Sequence, residues 1–111
     1  MSVSVRVIDG IYGRPAAGLT VSLSREFDGE FVRRWTGRAD ESGQVLSLRE
    51  LSLPRGAYRL EFDLGEYFNT LGYAPHNSAI WVCFTADRGH VYRITLLVTP
   101  ANCVIFSEDG Q

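Results

Sequence analysis

Apolar residues recur at every second position along much of this chain, and that period restricts its fold more than any other feature. From Ser2 to Ile8, Val3, Val5 and Val7 fall on one side of an extended strand, with Ser4, Arg6 and Ile8 on the other. Leu19, Val21 and Leu23 alternate with Thr20, Ser22 and Ser24, and Tyr58, Leu60, Phe62 and Leu64 with Arg59, Glu61 and Asp63. Phe31 to Thr36 reads as a further strand, with Trp35 as a core or interface residue. A short strand is expected over Gln44 to Leu48, after the turn Asp40-Glu41-Ser42-Gly43. Ala79 to Thr85, Val91 to Val98 and Asn102 to Ser107 bring the expected strands to eight.

Turn residues separate these runs. Asp28-Gly29, Ser42-Gly43 and Arg88-Gly89 supply positive φ between β-prone segments. Pro15, Pro54, Pro75 and Pro100 fall between the expected strands, where no ladder hydrogen bond is forfeited. Only Leu64 to Leu71 has helical spacing, through Leu64, Tyr67, Phe68 and Leu71, with Gly72 as its stop. The expected fold class is all-β, an antiparallel β-sandwich of eight strands with one short helix.

At 111 residues the chain fits one domain, 1–111, and 45% hydrophobic with 22% charged residues is globular composition. A net charge of −2, with Arg33-Arg34, Arg38 and Arg88 too dispersed to form a basic stripe, predicts neither nucleic acid nor a membrane as partner. All 11 cations are Arg and none is Lys, a codon bias that points to a GC-rich bacterial genome. No apolar run reaches the length of a membrane span and the N-terminal residues lack a signal-peptide core, so a cytoplasmic protein is expected. Cys83 and Cys103 lack CxxC spacing or a His neighbour, which predicts reduced, mostly buried thiols and no metal or cofactor.

Several segments are similar to one known family. Val5-Arg6-Val7-Ile8-Asp9 followed by Gly13-Arg14-Pro15-Ala16 resembles the first strand and turn of the transthyretin and 5-hydroxyisourate hydrolase family. Asp40-Glu41-Ser42-Gly43 matches its turn, Tyr67-Phe68 and Leu71-Gly72 its helix, and Val91 to Pro100 its penultimate strand. The resemblance runs from about Val3 to Phe106 and implies a homotetramer, a dimer of dimers, with small-molecule sites in a channel between the dimers. The family's hydrolase branch uses two His, one Arg and a Tyr-Arg-Gly-Ser tail. The resemblance sets Arg6 and Arg93 at the His positions, Gln44 at the Arg position and Phe106-Ser107-Glu108-Asp109 at the tail. Arg does not deprotonate near neutral pH, so the family's hydrolytic mechanism is not expected. The transporter branch also carries a cation where Arg6 stands, but faces it with Glu where this chain has Gln44.

The resemblance places Arg6, Arg93, Ile8, Thr95, Leu97, Val104 and Phe106 on the channel face. Guanidinium groups gathered in a cleft suit a small anionic or strongly polarised ligand. Alternatively, Glu108 and Asp109 fold back as their counter-ions, or the arginines extend to the channel mouth. In a third arrangement the arginines stabilise an oxyanion, Gln44 orients the substrate and Glu108 or Asp109 acts as base. His76 and His90 read as surface-turn residues. Cys103 and Ser107 have no activating partner, and Trp81 and Tyr92 read as core or interface aromatics. The function expected is a diverged, cofactor-independent enzyme that cyclises, opens or isomerises a small polar metabolite, in bacterial secondary metabolism. A non-catalytic small-molecule binding protein is the alternative, and residual hydroxyisourate hydrolysis ranks third.

Overall fold

The computed structural model of the chain describes residues 2–87 and 91–110, and of these the side chains up to 108. The Arg88-Gly89 turn, His90 and the side chain of Asp109 lie outside the described residues. In chain order the elements are β1 (Ser2–Asp9), β2 (Arg14–Pro15), β3 (Thr20–Phe27), β4 (Glu30–Arg38), α1 (Leu46–Arg49), β5 (Gly56–Asp63), α2 (Leu64–Thr70), β6 (Ala79–Ala86), β7 (Val91–Val98) and β8 (Cys103–Gly110). They form two four-stranded sheets, β2-β1-β7-β8 and β4-β3-β5-β6.

The alternating residues build the core between these sheets. Val3, Val5 and Val7 of β1 and Ile94, Leu96 and Val98 of β7 are buried against Val21, Leu23, Leu60 and Phe62 of the second sheet. Burying each such side chain contributes about 1.5–3 kcal/mol. Every partner on those strands then faces outward, including Ser4, Arg6, Arg93 and Thr95. The β3–β4 hairpin closes through Asp28 (φ 51°) and Gly29 (φ 83°), the two positive φ values that a type I′ turn requires.

Three expectations about the fold need correction. The run from Gln44 to Leu48 is not a strand: Gln44 makes an isolated bridge to Arg6, and a helical turn follows at once. Val45 and Leu48 are buried while Leu46 is exposed, a spacing of three that matches a helix and not a pleat. The described residues therefore form two helices, and their eighth strand is β2, a two-residue edge strand in which Pro15 pairs with Ile8. An edge position tolerates the missing N–H of proline. Nor is the sandwich wholly antiparallel, because β1 and β7 run parallel, with Ser2 opposite Val91 through Asp9 opposite Val98. A parallel pair needs a long crossover, and here the whole second sheet supplies it.

Helix α2 lies where the spacing places it. Asp63 caps it by accepting from the Glu66 N–H at 3.0 Å, and Gly72 (φ 89°) follows its C-terminal end. One thiol position also differs from expectation, and Trp81 lies outside the core of the chain. Trp81 is 59% exposed on edge strand β6, with the Arg59 guanidinium 3.9 Å from its ring centroid. Cys83, on the same strand, is exposed; Cys103 is half-buried against the core, and both thiols are free. Tyr92 stacks on Phe84 at 5.4 Å between ring centroids.

Among the described residues, one carboxylate is sealed within the fold. Asp9, fully buried at the end of β1, accepts from the Ile11 N–H (2.8 Å), the Tyr12 N–H (3.3 Å) and the Tyr67 hydroxyl (2.7 Å). The last bond ties α2 to the first sheet. Burial, then the bond to Asp9, raises the Tyr67 hydroxyl far above its ordinary value. Folding therefore opposes ionisation of Tyr67, so its stabilising contribution is complete below about pH 10, the unfolded value, and is lost as pH climbs beyond it. Tyr67→Phe keeps the ring but removes a donor from a buried carboxylate, and is expected to cost about 1–3 kcal/mol in urea unfolding.

Candidate functional site

The outer face of the first sheet is assembled by strand register. Ser4 lies beside Arg93, Arg6 beside Thr95 and Ile8 beside Leu97. On the other flank of β7, Arg93 is opposite Glu108, Thr95 opposite Phe106 and Leu97 opposite Val104. The face is consequently divided, with Arg6, Arg93 and Glu108 towards one end and Ile8, Leu97 and Val104 towards the other. Phe106 is 61% exposed and Val104 45% exposed on this face.

The loop before α1 forms the third wall. Asp40 accepts from the Ser42 hydroxyl (2.6 Å), the Ser42 N–H (2.9 Å) and the Gln44 N–H (3.0 Å), which winds the chain into a tight turn. Gly43 (φ 81°) packs so closely on β1 that a Cβ there would stand 2.5 Å from the Val7 carbonyl oxygen. The Val7 N–H donates to the Gly43 carbonyl at 2.8 Å and the Val45 N–H to the Val5 carbonyl at 3.2 Å, so Gln44 is held beside Arg6. Leu48 then buries one side of α1, and Arg49 closes the last turn, where a cation complements the helix dipole.

These walls enclose an open cleft of about 520 Å³, lined by Ser2, Ser4, Arg6, Gln44, Arg49, Val91, Arg93, Ile94 and Thr95. Of the residues singled out in the sequence, Arg6, Arg93, Gln44 and Thr95 are thus brought together. Ile8, Leu97, Val104 and Phe106 continue along the same sheet face outside the cleft, and Glu108 stands opposite Arg93 but outside the lining. Asp109 is set opposite Tyr92 in the register. Among the described residues, neither Arg6, Arg49 nor Arg93 has an ion-pair partner within 4.0 Å; the pairs formed there are Arg33–Glu61, Arg38–Glu66 and Arg55–Asp87.

Arg49 was not among the residues drawn from the sequence, because a strand over 44–48 gave it no place in a site. The spacing of Val45 and Leu48 is the signal that could have found it. His76 is exposed and its N–H donates to the Pro100 carbonyl at 2.7 Å, a loop-anchoring role. Burial raises the Cys103 thiol, which makes it a poorer nucleophile. Among the described residues, no group of three or more His, Cys, Asp or Glu could hold a metal ion. No helix there is long and apolar enough to cross a membrane.

A larger cleft, about 610 Å³, lies between β2, the end of β4 and α2. It carries Arg14 and Arg38 against Glu41 and Glu66. Glu66 accepts from Thr20 at 2.9 Å and pairs with Arg38 at 3.5 Å, so its charges are balanced within the protein. Among the described residues, the lining of the cleft on the first sheet carries cations and no carboxylate, and that imbalance makes it the candidate site.

A sandwich of two four-stranded sheets, with a polar cleft on the outer face of one and a short helix beside the other, defines a transthyretin-like protein. The chain belongs to the HIUase/Transthyretin family, whose profile matches residues 3–106. Sea bream transthyretin, solved in complex with thyroxine, is 28% identical with a TM-score of 0.92, over 99% of this chain and 97% of that one. Transthyretin from Sparus aurata is 27% identical with a TM-score of 0.91, over 98% and 97% of the two chains. The 5-hydroxyisourate hydrolase of Klebsiella pneumoniae is 25% identical with a TM-score of 0.83, over 97% and 99%.

The loop that holds Gln44 has a titration signature. The Ser42 hydroxyl, helped by the Gln44 and Ser42 N–H groups and opposed by partial desolvation, holds the Asp40 carboxyl below its ordinary value. Its contribution is therefore complete above the unfolded value of about 3.9 and is lost as pH falls through the lower folded value. In an NMR titration the Ser42 and Gln44 amide shifts should move together with a midpoint below about pH 3.9, whereas a midpoint at or above it would remove Asp40 as the anchor of the loop.

Proposed function

We propose that this chain is a cofactor-independent enzyme of its family that acts on a small anionic or strongly polarised metabolite in the cleft bounded by β1, α1 and β7. Family membership supports small-molecule binding or hydrolase-type chemistry in general. The observation that carries the narrower reading is a lining with three arginines and no carboxylate among the described residues. Guanidinium groups concentrated in that way are matched by an anionic ligand or by an oxygen that becomes negative during reaction. In the proposed homotetramer the two facing sheets close this cleft into a channel, which raises the strength of each charge–charge contact by excluding water.

In this scheme Arg6 and Arg93 bind the substrate and hold its oxyanion, and Gln44 orients it through its amide. Glu108, opposite Arg93 in the register, takes a proton from a water or substrate hydroxyl as that oxygen attacks a carbonyl carbon. The electron pair displaced onto the carbonyl oxygen is held by the guanidiniums. When the tetrahedral species collapses, the bond to the leaving atom breaks and Glu108 returns its proton there. Ring opening and ring closure are the two directions of that one sequence, and isomerisation needs only the proton transfers. Asp109 is the second candidate base; its register partner Tyr92 favours Glu108 for the role.

A second reading, a binding protein without turnover, is favoured by the position of Glu108 outside the cleft lining. Hydrolysis of 5-hydroxyisourate, the activity named for the Klebsiella pneumoniae relative, ranks third, since neither Arg6 nor Arg93 can accept a proton near neutral pH. The test compares wild type, Arg93→Ala and Glu108→Gln after incubation with a bacterial metabolite extract followed by mass spectrometry. Wild type is expected to consume a discrete anion, Arg93→Ala to abolish that turnover with its oligomer intact, and Glu108→Gln to reduce it at least about 100-fold. Unchanged turnover in Arg93→Ala would remove Arg93 from the site, and saturable binding without product in wild type would establish the second reading.

A further inference from the structure

We propose that the cleft selects ligands carrying two negative charges, and that Arg49 is the residue that reads the second one. The inference rests on the anion-binding role proposed above and narrows its ligand class. The bridge between Gln44 and Arg6 and the bonds of Val5 and Val7 to Val45 and Gly43 lie on one side of β1, and β7 lies on the other. Arg93 therefore enters the cleft from one flank of β1, Arg49 from the other, and Arg6 from β1 itself. Arg6 is diagonal to Arg93, two residues along the adjacent strand, so their Cα atoms are about 8 Å apart.

One carboxylate cannot answer all three cations. A bidentate guanidinium takes about half of its roughly four lone-pair sites, and its single negative charge leaves most of the positive charge of the lining unmatched. The rest of the lining supplies donors without charge, from Ser4, Thr95 and the Gln44 amide. The neighbouring 610 Å³ cleft shows the contrasting arrangement, two arginines offset by two glutamates. A second negative charge on the ligand does in the cationic cleft what Glu66 does for Arg38 in the other. A dicarboxylate and a phosphate group share this chemistry, and each offers oxygens to guanidiniums on opposite flanks of β1.

The probes are succinate, its monoamide succinamate, and inorganic phosphate, titrated calorimetrically into the full chain at pH 7.5 and constant ionic strength. Succinate and succinamate match in size and differ by one charge. Wild type is expected to bind succinate or phosphate at least 10-fold more tightly than succinamate. Arg49→Gln is expected to weaken succinate or phosphate binding far more than succinamate binding and so to abolish that preference, and Arg49→Lys to restore part of it. A preference for succinate assigns a dicarboxylate ligand, and one for phosphate assigns a phosphorylated ligand. Equal affinity for succinate and succinamate would overturn the dianion inference and leave the anion-binding cleft standing. Binding of none of the probes would overturn both. A preference that survives Arg49→Gln would overturn the role of Arg49, and thermal unfolding of each variant separates lost binding from lost fold.

Discussion

The parallel pairing of β1 with β7 aligns Val3, Val5 and Val7 with core-facing residues of β7 and, in the same register, aligns Ser4 with Arg93 and Arg6 with Thr95. Pleat geometry leaves no freedom between the two outcomes. A slip of one residue would bury the arginines without partners and expose the valines, at a cost far above the stability of a domain this size. The core and the cationic cleft are therefore consequences of one register. The Asp40 turn adds the third wall by pinning Gln44 to the free flank of β1, and the buried Asp9–Tyr67 bond secures the far end of that strand to α2.

Much of this was legible in the alternation of the sequence. The strands around Val5, Leu23, Leu60 and Ile94 and the helix at Leu64 follow from local periodicity, while the shared face of Arg6 and Arg93 was implied by the family resemblance. Non-local choices were not legible. Nothing within β1 or β7 specifies a parallel pairing across almost the whole chain. Pro15 reads as a break because its edge partner, Ile8, comes from a different segment. Helix α1 has no side-chain N-cap and only four residues, so its sole local sign is the burial of Val45 and Leu48. Missing that turn hid Arg49, and reading Asp9 only as the end of a strand hid a fully buried carboxylate. Cys83 looks like a core residue by type, but it occupies the outer face of an edge strand beside Trp81, whose indole Arg59 covers.

The fold is that of a family whose solved relatives include a thyroxine-bound transthyretin and a 5-hydroxyisourate hydrolase. One scaffold thus serves a ligand complex and an enzyme among its relatives, and the chemistry lies in the side chains on one sheet face. Here the cleft on that face offers guanidiniums, an amide and hydroxyls among its described residues. Such a set binds and polarises anions well but contains no group that accepts a proton near neutral pH. Any base must come from the rim of the cleft, which is why Glu108 matters to the proposed chemistry.

The central claim, that this cationic cleft is a ligand site closed by assembly, is tested most directly by native mass spectrometry of the purified protein after incubation with a bacterial metabolite extract. The account predicts a tetramer carrying a discrete small anion that is absent from Arg93→Ala. A monomer, or a tetramer that remains empty, would contradict it.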